Sequence, residues 1–271
     1  MKNWLDGKTI IITGASSGIG KELTKLCLKN NIRVIGVARN REKMEQFANS
    51  LEFGKELFSF ELFDVSDQSE WKKFTEKLQK DNKQIELLIN NAGIMPKFDN
   101  FLHIDLEAGK KVMDINFYSV VYGTYYILPL TQGKGGVANI CSSDALLGVG
   151  GTNYYAASKG AVKSFTQSLR YEFPNKYVSI IFPGFTDTNI FKNVEASPKD
   201  LRRMKKLMSP ADKIAKKIYK AIRRRKKYKV VGYDAHAFSI LSRFFPKSGA
   251  TLINNILRDA KVDMFAGVIQ E

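Results

Sequence analysis

Cysteine, histidine and tryptophan each occur only twice among the 271 residues. The cysteines, Cys27 in a helix-like stretch and Cys141 in a strand-like apolar run, are too few for a disulfide framework. They read as buried thiols of a reducing compartment. His103 and His236 lie far apart in sequence without ligand-like spacing, so neither a metal centre nor a Ser-His-Asp arrangement has its parts. No run reaches the roughly 18 apolar residues needed to cross a bilayer. The opening Met1-Lys-Asn-Trp-Leu-Asp-Gly has no signal-peptide apolar core, and the expectation is a cytoplasmic protein. Linkers rich in glycine, serine or proline are absent, as are internal repeats.

Acidic side chains are the scarce charge, 27 against 43 lysines and arginines, which leaves a formal net charge of +16. The excess falls late, at Arg202, Arg203, Lys205, Lys206 and from Lys213 to Lys229. In that run Ile214, Ala215, Ile218, Ala221 and Ile222 trace an apolar helical stripe, so the lysines fill a solvated outer face. No groove-reading motif is present, which argues against nucleic acid as a partner.

What is present is ordinary globular composition, 44% hydrophobic and 26% charged, in a length suited to one α/β domain. Strand-like runs at residues 8–13, 33–38, 56–63, 84–90, 136–142, 177–182 and 228–231 alternate with helical stretches. Those stretches fall near residues 18–30, 41–51, 67–81, 106–131, 153–173 and 210–225. Such alternation predicts a doubly wound parallel sheet of about seven strands with helices on both faces, a single-domain Rossmann-like fold. Residues 1–234 form the cofactor-binding and catalytic domain on this reading, with 185–208 as a flap over a substrate cleft. Residues 235–271 are an apolar and basic extension packed on the same domain.

The first strand runs into Thr13-Gly-Ala-Ser-Ser-Gly-Ile-Gly20. Glycines at 14, 18 and 20 let backbone approach a pyrophosphate, whose charge meets the amides at a helix amino end. About 20 residues on, the second strand ends in Arg39, a cation that suits a 2′-phosphate and argues for NADP(H), NAD(H) being the alternative. Later, Tyr155 and Lys159 stand four apart on a strongly patterned helix, one face shared. An ammonium beside a phenol is expected to lower the phenol's pKa, making it an acid or base for a carbonyl or alcohol oxygen. Tyr154 is followed four residues on by Ser158 rather than lysine and is assigned to packing or lining the cleft.

The glycine turn, Asn90-Asn-Ala-Gly93, Asn116, Ser142 and the Tyr155/Lys159 pair, in this order, resemble the short-chain dehydrogenase/reductase family over roughly residues 7–232. The resemblance implies a nicotinamide cofactor and a catalytic tetrad of Asn116, Ser142, Tyr155 and Lys159. In it Tyr155 is general acid or base, Lys159 tunes it and holds the nicotinamide ribose, Ser142 binds the substrate oxygen, and Asn116 keeps a water chain. Ser143 competes with Ser142, but spacing from Asn139 and from Tyr155 favours Ser142. The resemblance also assigns Ser16, Ser17, Ile19, Asn91, Ala92 and Gly93 to the cofactor. Asp64 and Val65 are assigned to its adenine, and Pro183, Gly184, Thr186 and Thr188 to its nicotinamide or pyrophosphate side. Homodimers or homotetramers are a further implication.

Walls expected around the substrate, including Phe98, Phe101, Leu146, Leu147, Val149, Tyr154, Phe185 and Phe191, suit a bulky apolar ketone or alcohol. A steroid or bile acid is the first expectation. A sphingoid base or acyl chain is the alternative, and a redox sensor without turnover is the rival class. For residues 235–257, covering the pocket, joining subunits and touching a membrane surface all remain open.

Overall fold

The computed structural model describes residues 3–188, 190, 202, 205, 208–259 and 268. Its strands are Thr9–Thr13 (β1), Arg33–Ala38 (β2), Phe58–Leu62 (β3), Ile85–Asn90 (β4), Thr131–Ile140 (β5), Tyr177–Pro183 (β6) and Tyr228–Val231 (β7). They form one seven-stranded sheet in the order β3-β2-β1-β4-β5-β6-β7, and every neighbouring pair is parallel. The helices are Gly18–Lys29 (α1), Arg41–Asn49 (α2), Gln68–Lys80 (α3), Leu106–Met113 (α4), Ser119–Ile127 (α5), Asn153–Glu172 (α6), Ala211–Arg223 (α7), Tyr233–Phe244 (α8) and Gly249–Asp259 (α9).

Side-chain alternation along β1 divides the core into two layers. Ile10 and Ile12 pack with Leu23 and Cys27 of α1 and with Ile214, Ile218 and Ile222 of α7. Ile11 points the other way, among Trp71, Phe74 and Leu78 of α3, Ile127 of α5 and Leu169 of α6. A sheet covered on both faces explains why β4 and β6 are buried along their whole length without alternation. The chain winds outward from β1 to β3, then returns to β4 on the other side of β1. That reversal opens a crevice at the carboxyl ends of β1 and β4, where open α/β sheets bind ligands.

The α/β fold predicted from sequence is therefore the one that forms, with two local corrections. The helical stretch predicted over 106–131 is broken by a π-helical turn at Asp114–Tyr118 and ends in a 3₁₀ turn at Leu128–Leu130. The fifth strand begins at Thr131 rather than Gly136. Gly133 has φ +45°, and a Cβ on Gly135 or Gly136 would overlap the carbonyls of Glu86 or Tyr177. Gly135 and Gly136 thus let β5 pack closely against its neighbours, while the register with β4 shifts between the Ile85–Thr131 and Leu87–Gly136 pairs.

The basic stretch after residue 213 behaves as its stripe predicts: Ile214, Ala215, Ile218, Ala221 and Ile222 of α7 are buried, while Lys213, Lys216, Lys217 and Lys220 lie at or near the surface. Most of the predicted flap, including Phe191, lies outside the described residues. At its base Thr186–Asp187 pairs in parallel with Ser209–Pro210. Among the described residues no helix is long and apolar enough to cross a membrane.

Candidate active site

The turn after β1 is shaped for close backbone approach. Gly14 and Gly18 adopt φ +68° and +52°, values that favour glycine. A Cβ on Gly14 would stand 3.0 Å from Asn91 Nδ2, and one on Gly18 would stand 3.0 Å from Thr188 Cγ2. Gly20 has no room at all, since a Cβ there would overlap the Gly14 carbonyl. Thr13 ties this turn to the end of β4: its Oγ1 accepts from the amides of Asn91 (2.9 Å) and Ala92 (3.0 Å), and its carbonyl accepts from Asn91 Nδ2 (2.9 Å). Ser17 makes no capping bond and the first turn of α1 contains no acid, so the positive helix end faces the crevice without a protein counter-charge.

Across the crevice, Ser142 begins the 3₁₀ turn Ser143–Ala145 and accepts from the Asp144 amide (3.2 Å). Tyr155 and Lys159 occupy the first two turns of α6 and are 9% and 3% exposed. Burial pushes the Tyr155 phenol up; a hydrogen bond with Ser142 acts against that, while Asp144 and Cys141 push it further up. The Lys159 ammonium donates to the Ile140 carbonyl (3.3 Å) and lies 5.8 Å from the centre of the Tyr155 ring. Burial lowers its own pKa. The expected lowering of the Tyr155 pKa by Lys159 is thus not what this geometry gives, because desolvation of the phenol dominates and the ammonium approaches the ring.

Asn116 is fully buried inside the π-helical turn, a distortion frequent at functional sites. Its Oδ1 accepts from the Ile94 amide (2.8 Å), and its Nδ2 donates to the Ile94 carbonyl (2.9 Å) and to Ser158 Oγ (3.0 Å). A Cβ on Gly93 would fall 3.2 Å from Asn116 Oδ1 and 3.4 Å from Lys159 Nζ, so this glycine sits between the two.

These groups surround one cleft of about 400 Å³. Of the residues selected by sequence, Gly14, Ser17, Gly18, Ile19, Arg39, Asn91, Ala92, Gly93, Ser142, Tyr155, Lys159, Pro183, Gly184, Thr186 and Thr188 line it. Ser16, Gly20, Asp64, Val65 and Asn116 are not on its surface. Val65 is buried in the core and its carbonyl accepts from Trp71 Nε1 (2.8 Å). Asp64 acts through Arg39, which it holds by an ion pair of 3.0 Å. Although burial pushes the Asp64 carboxyl up, bonds from Ser66 and Arg39 hold it below its ordinary value.

Phe98, Val149 and Phe185 are walls as expected, whereas Phe101, Leu146, Leu147 and Tyr154 are not. Tyr154 packs over Gly109 and against Phe101, with ring centres 6.1 Å apart. Sequence reading missed Lys43 beside Arg39 and Asp144 beside Tyr155, while Phe238 and Leu257 of the last two helices take up one of the uses left open for residues 235–257, covering the pocket. Lys43 stands four residues after Arg39 and was legible as a second cation; for Phe238 and Leu257 the apolar run was legible, and tertiary packing decides which of its open uses they serve.

The segment after residue 234 therefore contributes to the cleft. Asn254 of α9 grips the loop after Ser142, accepting from the Gly150 amide (2.6 Å) and donating to the Gly148 carbonyl (3.2 Å). Val268 packs against Phe98 and Gly151. At the head of α8, Asp234 accepts from the Phe185 amide and lies against Gly184. The outer faces of α8 and α9 expose Ile240, Phe244, Phe245, Leu252 and Ile256.

A profile of the short chain dehydrogenase family matches residues 8–199. The chain is 34% identical over 192 residues to 11-beta-hydroxysteroid dehydrogenase-like 2 of Arabidopsis thaliana, a match covering 68% of this chain and 61% of that protein. The chain thus spans about three fifths of that relative's length. A short-chain dehydrogenase/reductase of Burkholderia phymatum solved with NAD superposes with a TM-score of 0.77 at 20% identity, covering 92% of this chain and 95% of the other. One from Burkholderia cenocepacia J2315 solved with NADP gives 0.76 at 20% identity, covering 92% and 98%. At that identity the structures establish the likeness of fold.

Proposed function

The chain belongs to the short-chain dehydrogenase family of oxidoreductases, and on that premise we propose that it interconverts a ketone and a secondary alcohol on a bulky apolar substrate, using NADP(H). The observation that carries the proposal is the meeting of Ser142, Tyr155 and Lys159 with the glycine turn around one largely apolar cleft.

The residues present fit a dinucleotide. The Gly14 and Gly18 positions form a cradle that side chains would fill, and the unopposed amino end of α1 suits a pyrophosphate. Arg39 and Lys43 put two cations at the same end of the cleft, which favours a 2′-phosphate and hence NADP(H) over NAD(H). When bound, the nicotinamide supplies or removes the hydride. Lys159 would hold its ribose, Asn91 to Gly93 and Pro183 to Thr188 would line its place, and Asn116 fixes the backbone at Ile94.

The chain's own task is to move the proton. Ser142 and Tyr155 bind the carbonyl oxygen, and Tyr155 delivers its proton as the oxygen becomes an alcohol. Burial keeps the phenol protonated at neutral pH, the state that reduction requires and oxidation does not. Met95, Phe98, Val149, Phe185, Phe238 and Leu257 supply apolar walls, and the cleft volume falls within the range of small-molecule sites. A steroid or bile acid is the substrate class proposed, in keeping with the hydroxysteroid dehydrogenase-like relative; a sphingoid base or acyl-chain ketone is the second class these walls admit.

The test is a panel of hydrophobic ketones and alcohols with each nicotinamide cofactor, followed by absorbance. Turnover confined to bulky apolar members and faster with NADPH supports the proposal. Preference for small polyols, or cofactor binding without turnover of any member, overturns it.

A further inference from the structure

Asp144 is 8% exposed, one residue past the Ser142–Ser143 pair. Its Oδ1 accepts from the Val149 amide at 3.0 Å, and its Oδ2 lies 2.7 Å from Thr152 Oγ1. That same Thr152 oxygen is also 2.7 Å from the Val149 carbonyl. A threonine hydroxyl carries one proton and cannot donate to both oxygens at once. If Thr152 donates to Val149, its contact with Asp144 needs a proton from the carboxyl. If it donates to an ionised Asp144, it faces the Val149 carbonyl at 2.7 Å with no proton between. Only a protonated Asp144 satisfies every contact: carboxyl to Thr152, Thr152 to the Val149 carbonyl, and the Val149 amide back to the carboxyl.

We propose that Asp144 is held as a neutral carboxylic acid that closes the loop 144–152 into the substrate wall and keeps negative charge away from Tyr155, making it a positioning residue for the reaction proposed above. The second half rests on that proposed reaction; the protonation state does not.

The surroundings agree. From α6 the neighbouring titratable groups are Tyr155, Lys159 and Lys163, and beside them stands Cys141. α8, which packs on the turn, carries Tyr233, Asp234, His236 and Arg243; the titratable group of β6, Tyr177, stands at the far end of its strand, paired with Gly136. From the loop against Gly151 they are Lys97, Asp99 and His103, of which Asp99 pairs with both others. From α9 they are Arg258 and Asp259, paired with each other. Among the described residues none of these forms an ion pair with Asp144. Burial pushes its carboxyl up to about 7, against bonds from Thr152 and Val149 that pull it down. An ionised Asp144 would raise the Tyr155 pKa further. Leaving such a charge without a partner is costly, whereas the acid form completes its bonds.

Asp144→Asn reproduces the ring of bonds without a titrating proton: its Oδ1 accepts from Val149 and its Nδ2 donates to Thr152. The decisive measurement is the infrared difference spectrum of the whole chain, wild type minus D144N. A carboxylic-acid carbonyl band is expected near pH 6, fading as pH rises well past about 7. Absence of that band at the lower pH overturns the proposal. Stability gives a second reading. The unfolded carboxyl releases its proton near 3.8 and the folded one near 7, so wild type loses melting temperature relative to D144N as pH rises between these values, then the difference levels off. A constant difference across that window overturns the proposal.

The positioning role is read from KM for a hydrophobic ketone. D144N takes the KM of the acidic limb of the wild-type profile, below about 7, and holds it at every pH, while D144A raises KM severalfold throughout. Superimposable KM profiles for wild type and D144N sink that half. If D144N fails to fold, wild type is compared with Thr152→Val, which removes the acceptor of the acid proton and is expected to shift the same band; no band in either overturns the idea. If no ketone is turned over, the spectrum and the melting curves still decide the protonation state, so the two readings fail separately.

Discussion

The Lys159 ammonium reaches the Tyr155 ring at 5.8 Å from its centre while donating to the carbonyl of Ile140, so the helical pair meets through the face of the aromatic system. Desolvation then rules the phenol's acidity and keeps Tyr155 protonated across the neutral range.

Replacing Tyr155 by Phe removes that proton and little else. Ketone turnover should fall by about 100-fold or more, with cofactor binding by fluorescence titration nearly unchanged. Retained turnover in Y155F would remove Tyr155 from the chemistry.

The direction of the Tyr155 shift predicts a divergence with pH. Carbonyl reduction needs the protonated phenol and should hold steady through neutrality, whereas alcohol oxidation needs it deprotonated and should rise with pH over the same interval. Rates in both directions on one ketone and alcohol pair measure this. Oxidation that peaks in mildly acidic solution would contradict it.

Arg39→Ser takes away a guanidinium at the cleft end together with its Asp64 partner contact. Affinity for NADPH should drop by about tenfold or more, and affinity for NADH should change little. Melting temperature should barely move, because so exposed an ion pair contributes about 1 kcal/mol or less. Equal losses for both cofactors would place the 2′-phosphate elsewhere.

Gly20→Ala drives a methyl group into the Gly14 carbonyl and the Asn91 amide. A loss on the order of 1–3 kcal/mol in stability is expected from such overpacking, with dinucleotide binding weakened alongside. Denaturant unfolding and cofactor titration of the variant provide the check; wild-type values in both would mean the turn relaxes freely.

Asn254→Ala cuts the link between α9 and the loop after Ser142. The loss of these bonds should cost about 1–2 kcal/mol and raise KM for bulky ketones without lowering affinity for the cofactor. A change confined to cofactor affinity would show that α9 serves the other end of the cleft.

The parallel sheet was legible because each strand's apolar run is bounded by turn residues and followed by a helical period, as at Ile10–Ile12 before the glycine turn. Ser142, Tyr155 and Lys159 were legible because local spacing puts them on one strand end and one helix face. The start of β5 was not: Gly133, Gly135 and Gly136 look like a break, and only Glu86 and Tyr177 show that Gly135 and Gly136 are needed for close strand contact. Nor was the Asp144 ring legible, since its meaning lies in the second contact of the Thr152 hydroxyl. Phe238 and Leu257 reach the cleft, and Asn254 its neighbouring loop, over a hundred residues of chain from Ser142 or nearly so, a distance across which local periodicity does not choose among the uses open for an apolar segment.

Asp234 crowds both Gly184 and Gly232, at each of which a Cβ would run into its carboxylate. The three positions are therefore one unit of inheritance. A descendant that gave up the acid would be released to grow a side chain at residue 184, and one that kept it would have that freedom closed, so these sites should drift through related sequences in step.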